Sequence, residues 1–354
     1  MSSSSEQENG YFDVAIVGAG PAGSSAAYHL SGAGMSVIVA ERLNGVQYGR
    51  YHSICGGGVS MKTFPKRFPI REDEILNRVH DTVLVWPDGR KARIGTEGYI
   101  IDRPAMLSRL RHESEEKGAE FVKDSITDIF RDGDGFVLKG RGTIRCRYLI
   151  GADGAFSIVR KKVFGTEPKG SLPATEFIRE GDPPDEMIFR TGVNHGEGYS
   201  WEFPHGNGVC TGSVDSPFTD ATYSMKGTRF IPYGGVVAIV DGNALLLGDA
   251  AGMANPVSFG GLRAAFLSAE KAAHAIIEDD LDGYQRWWDE SVMSDRRFME
   301  FRDRVSAMDD ETLNRISAPF GHGNVYLDGF LACLRHPRSI PMYFTCLFAF
   351  MRGW

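Results

Sequence analysis

Six residues, Gly18-Ala19-Gly20-Pro21-Ala22-Gly23, constrain the fold of this 354-residue chain more than any others. They follow an apolar run, Phe12 to Val17, and open a segment of helix formers, Ser24 to Leu30; Val37 to Ala40 is again β-branched and apolar. Strand, glycine turn, helix and strand in that order form a βαβ unit. The glycines permit the tight turn and let backbone N–H groups at the positive end of the helix approach a pyrophosphate. Glu41, eighteen residues beyond Gly23, ends the second strand, where a carboxylate accepts hydrogen bonds from the ribose hydroxyls of an adenosine. Gly18, Gly20, Ala22, Gly23 and Glu41 are therefore candidate binding residues. The competing reading is a glycine-rich turn that binds nothing.

Composition narrows the rest. With 42% hydrophobic and 24% charged residues, the chain is that of an ordinary folded protein large enough for two or three joined units. A formal net charge of -7 and no long basic run speak against nucleic acid as a partner. Five scattered cysteines without a C-x-x-C pair argue against a disulfide framework or a zinc site, so no metal is expected. Met1 to Gly10 lacks the basic flank and apolar stretch of a secretory signal and reads as a loose cytosolic tail. No stretch reaches the roughly 18 to 20 apolar residues that a spanning helix needs. A cytoplasmic location follows as the expectation.

Further along, Pro104 to Lys117 reads as a helix stopped by Gly118, Ile144 to Ile150 as a strand, Asn243 to Leu247 as another, and Leu262 to Ile277 as a long helix behind it. The nucleotide-binding unit is thus discontinuous, over 11–50, 96–165 and 240–280. The intervening pieces, 51–95 and 166–239, carry short strand patterns at Thr82 to Trp86, Glu186 to Val193, Tyr199 to Phe203, Val209 to Val214 and Thr228 to Tyr233, which suggest a separate antiparallel sheet. Residues 281–354 read as helical and aromatic, with breaks near Pro319 to Gly323 and at Pro337 and Pro341.

Two segments refine the cofactor. Gly151-Ala152-Asp153-Gly154 ends a strand, and Gly248-Asp249-Ala250-Ala251-Gly252 ends another before Asn255-Pro256 and Gly260-Gly261. In this order they resemble the FAD-dependent oxidoreductases of the aromatic-hydroxylase fold. The resemblance implies that Asp249 meets the ribityl chain, that the N–H groups near Gly261 and Leu262 face the flavin pyrimidine edge, that Arg103 lies near the diphosphate and that Ile126 lies on the strand passing the adenine. A helix N-terminus beside the pyrimidine edge would stabilise negative charge on the reduced ring. For Arg103 a plain ion pair with Asp102 or a neighbour is the alternative, and for Asp249 a turn aspartate. The implied architecture is α/β: a Rossmann-like FAD-binding domain with an inserted antiparallel β-sheet substrate domain and a C-terminal helical segment.

Cys55-Gly56-Gly57-Gly58-Val59-Ser60 lies fourteen residues past Glu41, and Gly198-Tyr199-Ser200-Trp201-Glu202-Phe203-Pro204 sends three aromatic rings to one side of a strand. With the fingerprint and the Gly-Asp segment, these are similar to the geranylgeranyl reductase family, nearest its archaeal digeranylgeranylglycerophospholipid reductases, over roughly residues 11 to 280. The resemblance implies flavin contacts at Cys55, Gly56 and Gly58 in addition to those above, and an isoprenoid channel bordered by Tyr199, Trp201 and Phe203. It also implies addition of hydrogen across isolated C=C bonds of a geranylgeranyl chain, on a membrane lipid precursor, with hydride from reduced FAD. Periodicity alone allows the three rings an ordinary core role. Cys55 is the candidate proton donor, a small residue packed beside the ring being its alternative reading. The chain departs from the family pattern at Ser258-Phe259-Gly260-Gly261, where Thr-Gly-Glu-Gly is usual, and between Val214 and Phe230, which is shorter than expected.

No second glycine fingerprint follows, so electrons are expected from a visiting donor, NAD(P)H or a ferredoxin-like protein. Arg335, His336, Arg338 and Arg352 flank an apolar stretch with Tyr343, Phe344, Phe348, Phe350 and Trp354. That pattern suits either a peripheral membrane contact or a helix packed on the protein's own core. The rival activities are a flavin monooxygenase or halogenase, although nothing marks Lys62 or Lys66 as a halogenation lysine, and a non-catalytic carrier of prenyl lipid.

Overall fold

The computed structural model describes residues 8–60, 70–195, 198–215, 223–321 and 325–352. Its first sheet is built on the predicted βαβ unit. Strand Glu8–Val17 pairs in parallel with Val37–Glu41 on one side and Thr143–Gly151 on the other, with Val17 opposite both Ala40 and Gly151. Glu120–Lys123 and Ala244–Leu246 extend the parallel row, and antiparallel strands at Val240–Asp241, Asp128–Asp132 and Gly135–Lys139 complete eight. Val14, Ile16, Val37, Ile38 and Val39 are fully buried, so both faces of the sheet are covered, which is why these strands read as continuous apolar runs.

The fingerprint helix spans Pro21–Gly32 and packs on the helix Leu262–Ile277 and on Arg103–Glu115. Gly18, at φ +96°, and Gly23 make the turn possible: a Cβ on Gly18 would stand 2.5 Å from the Ala152 carbonyl oxygen, and one on Gly23 would stand 1.9 Å from that of Gly18. The tail reading extended too far, since the first strand already includes Glu8 to Gly10.

The second sheet also has eight strands, in the order Met225–Tyr233, Gly170–Glu180, Gly208–Val214, Ser200–His205, Met187–Arg190, Ile75–Val85, Lys91–Ile101 and Gly58–Ser60. It is antiparallel except where Met187–Arg190 runs parallel to Ile75–Val85. Phe189, Trp201, Phe203, Val214, Tyr233 and Phe259 share one core there. Beyond Asp280 the chain is helical, at Leu281–Asp289, Arg296–Ser306, Asp310–Ser317, Val325–Arg335 and Ile340–Arg352. Pro341 does not break the last of these; it sits in the first turn, where a missing N–H costs nothing. Among the described residues no helix is long and apolar enough to cross a membrane.

Candidate functional site

The carboxyl ends of the parallel strands open into a cavity of about 620 Å³, closed on its far side by the aromatic face of the second sheet. Of the residues predicted from sequence, Gly18, Gly20, Ala22, Glu41, Cys55, Gly56, Gly58, Arg103, Ile126, Tyr199, Trp201, Phe203, Asp249, Gly261 and Leu262 all line it. Gly23 does not; its role is the close packing of turn against helix. Ile126 lies in the loop after Glu120–Lys123 rather than on a strand. Lys62 and Lys66 lie outside the described residues.

At one end of the cavity the helix Pro21–Gly32 begins at Gly20 with no side-chain cap, so its first N–H groups are free for an anionic ligand. The Glu41 carboxylate accepts the Ala19 and Leu43 N–H groups, each at 2.8 Å, which fixes it beside the turn with lone pairs to spare. Arg103 does not pair with Asp102, whose carboxylate instead caps the helix at the Ala105 N–H. Its guanidinium donates to the carbonyls of His52 (3.1 Å) and Ile54 (3.4 Å) and borders the cavity's middle. Sequence reasoning missed two neighbours. His52, at the end of the helix Gly45–Ser53, has its ring between Tyr48 and Tyr51, and burial pushes its pKa down to about 2. Asp153 accepts the Ile158 N–H through one oxygen, while its other oxygen is buried without a partner.

At the other end the helix Leu262–Ile277 starts at Gly261, again with no side-chain cap. Asp249 stands against it, its Oδ1 3.1 Å from where a Cβ on Gly261 would be, and burial raises its carboxyl to about 6 against the pull of Arg103. Arg160, fully buried, ties the two Gly-Asp loops together by donating to the carbonyls of Ala250 (3.0 Å) and Ala155 (2.8 Å). The Cys55-Gly56-Gly57-Gly58 turn presses on the aromatic strand: a Cβ on Gly56 would meet the Phe203 ring at 3.0 Å. The Cys55 thiol is raised by burial, so it stays protonated at neutral pH.

The far wall follows from strand alternation. Tyr199, Trp201 and Phe203 point to the cavity, joined by Phe189 at 5.1 Å from both Tyr199 and Phe203, centroid to centroid. Trp201 lies flat over Gly212, where a Cβ would stand 2.3 Å from the indole. The Tyr199 hydroxyl donates to the Ser258 carbonyl, and Phe259, at φ +50°, packs on Tyr199 and Tyr233. An elongated cleft with two uncapped helix N-termini, a fixed acid at the second strand end and the free oxygen of the Asp153 carboxyl suits a dinucleotide carrying a planar, polar-edged ring system.

Known proteins agree with that fit. The family model described as lycopene cyclase protein matches residues 13–168. A digeranylgeranylglycerophospholipid reductase of Methanosphaera stadtmanae is 28% identical, over 86% of this chain and 87% of its own length. A geranylgeranyl diphosphate reductase of Rhodobacter capsulatus is also 28% identical, over 75% of each. Over most of its length the chain is thus similar to geranylgeranyl and digeranylgeranylglycerophospholipid reductases. The residues that line the cleft suit FAD, the cofactor that the sequence resemblance implies. Among solved structures, a geranylgeranyl bacteriochlorophyll reductase-like protein from Thermoplasma acidophilum superposes with a TM-score of 0.79 at 20% identity, covering 93% of this chain and 98% of its own. A flavin-dependent brominase superposes at 0.71 with 15% identity, over 98% of this chain and all of its own, so the fold is shared more widely than the family. Phe259, where the family pattern noted in the sequence has glycine, is a bulky residue in the left-handed region that glycine favours.

Proposed function

We propose that this chain hydrogenates isolated C=C bonds of a geranylgeranyl or related isoprenoid chain carried on a membrane lipid precursor. The observation that carries the reading is the cavity wall facing the Cys-Gly-Gly-Gly turn. Ala174, Phe189, Tyr199, Trp201, Phe203, Val214 and Ile231 form it, a surface that excludes water and suits a prenyl tail. In this reading the helix end at Gly20, with Ala22, takes the diphosphate, Glu41 the ribose, Asp249 the ribityl chain, and Gly261 and Leu262 the pyrimidine edge, with Arg103 adding positive charge between them. Bound and reduced, FAD supplies the hydride that an unactivated alkene needs. The chain's own part is to hold the tail against the Cys-Gly-Gly-Gly turn, keep out water and supply a proton, for which the protonated Cys55 thiol is one source.

Membrane contact is part of the same proposal. The helix Val325–Arg335 exposes Leu327, Phe330 and Leu334 along one face, and Phe344 of the next helix is 62% exposed. Arg335 and Arg338 are exposed beside them, an arrangement suited to an anionic bilayer surface. Trp354 and the side chains of Phe350 and Arg352 lie outside the described residues.

The test is anaerobic incubation of the dithionite-reduced holoprotein with geranylgeranyl lipids, followed by mass spectrometry. Products heavier by one H2 per reduced bond, together with flavin reoxidation, are expected. A flavin that stays reduced marks a carrier, and hydroxylated product in a parallel aerobic incubation marks a monooxygenase; either rejects the proposal.

A further inference from the structure

The aromatic wall of the cavity contains one carboxyl group among its described residues. Register sets Glu176 opposite Gly212, which faces Trp201 in turn, with Gly227 on Glu176's other side. Ile54 fills the space over Gly227, its Cδ1 2.9 Å from where a Cβ would stand, as Trp201 does over Gly212. Glu176 thus sits in a slot between an aliphatic and an indole side chain, and is 9% exposed. One of its oxygens accepts the Gly56 N–H at 2.8 Å, tying it to the Cys-Gly-Gly-Gly turn. The other has no hydrogen-bond partner among the described residues and is open to the cavity that Glu176 lines. The remaining carboxyls of the cavity, Glu41, Asp124, Asp153 and Asp249, belong to the nucleotide-binding sheet and its loops.

We propose that Glu176 is the general acid that protonates the alkene, an assignment that rests on the reductase reading above. The π bond is replaced by two C–H bonds: one carbon receives hydride, with its electron pair, from reduced FAD as the reductant, and the other receives the proton as the Glu176 O–H bond breaks. The carboxylate left behind keeps the Gly56 N–H and the nearby charges of Arg229 and Arg103, and regains its proton from water once the product leaves. The groups that face it are Arg229 from the adjoining strand, Arg103 from the helix start, Cys55 from the turn, and Cys210 and Tyr199 from the two further strands. Burial favours the acid form and outweighs both arginines, so the carboxyl lies above the usual carboxylate range. The Cys55 thiol, whose ordinary value already lies well above that of a carboxyl, is raised by burial as well.

Glu176→Gln, near-isosteric and still able to accept the Gly56 N–H, is the variant to use, with retained FAD absorbance and thermal unfolding as checks on folding. In holoprotein without substrate, the wild-type minus E176Q infrared difference spectrum should contain the C=O stretch of a protonated carboxyl, the infrared band of Glu176, fading as pH rises through the Glu176 value; the carboxyls of Asp249 and Asp153, present in both proteins, cancel. In single turnover with prenyl lipid, the wild-type rate should be full at low pH and fall across the same range. E176Q should be slower by at least about 100-fold with a flat profile. E176Q with the wild-type rate and profile, absence of the infrared band from the wild type, or loss of the pH dependence in Cys55→Ala but not in E176Q overturns the assignment. A wild-type protein that reduces no prenyl lipid while showing the band overturns the reductase reading instead.

Discussion

His52 is packed as a neutral ring beside the cofactor cleft, and acid should expose the consequence. Its ring centroid lies 4.4 Å from that of Tyr48 and 5.0 Å from that of Tyr51, its Nδ1 is buried without a partner, and Arg103 and Arg229 add to the burial that depresses its pKa to about 2. That value lies below the ~6.5 of an unfolded histidine, so on acidification the unfolded chain binds the proton first. The stability tied to this group is intact above about pH 6.5 and drains as pH falls below it, down to the folded-state value. The slope approaches about 1.4 kcal/mol per pH unit; allowing for the half-protonated unfolded state at the upper end, the loss between pH 6.5 and 4.5 is about 2 kcal/mol. Any folded value below about 4 gives nearly the same loss. Urea unfolding of the wild type and His52→Phe, both saturated with FAD, should show the wild type losing about 2 kcal/mol more than the variant over that interval. Carboxylates that titrate in both proteins cancel in the comparison. Equal losses would mean that His52 accepts a proton in the folded state, and the account of its burial would fail.

Glu41→Ala removes the acceptor of two backbone N–H groups and the acid expected at the ribose; at about 1.5 to 3 kcal/mol for a charged hydrogen bond, FAD affinity should fall at least tenfold, read by quenching of flavin fluorescence on titration. In Gly212→Ala the new methyl meets the Trp201 indole, so overpacking should cost about 1 to 3 kcal/mol in urea unfolding and shift the tryptophan emission. Arg160→Leu strands the carbonyls of Ala250 and Ala155, and should destabilise the protein by about 2 to 5 kcal/mol and weaken FAD retention on gel filtration.

The strand–turn–helix–strand unit at the start of the chain was readable from the sequence, and the helix Leu262–Ile277 matched its expected span. The helix Gly45–Ser53 went unread because it is short and carries Gly45 and Gly49, although Asn44 and Gln47 form a capping box that would have announced it. The strand Gly170–Glu180 was missed for two reasons. Pro173 argues against a strand interior, and apolar residues occupy both faces: Ala174 and Ile178 on the side of Glu176, Phe177 on the other, where Tyr223 and Lys226 cover it. The period-two signal is lost when both faces are packed, and with it went Glu176.

What the amino-acid order determined by itself is what a few neighbouring residues can decide: the turn that requires Gly18 and Gly23, the strand end at Glu41, the alternation of Tyr199, Trp201 and Phe203. Which acid stands on the aromatic wall, and that His52 is stripped of water beside it, were decided by tertiary structure alone. Glu176 meets Gly56 across 120 residues of chain, and only strand register and the packing of one sheet against the other bring such distant groups into one low-dielectric space.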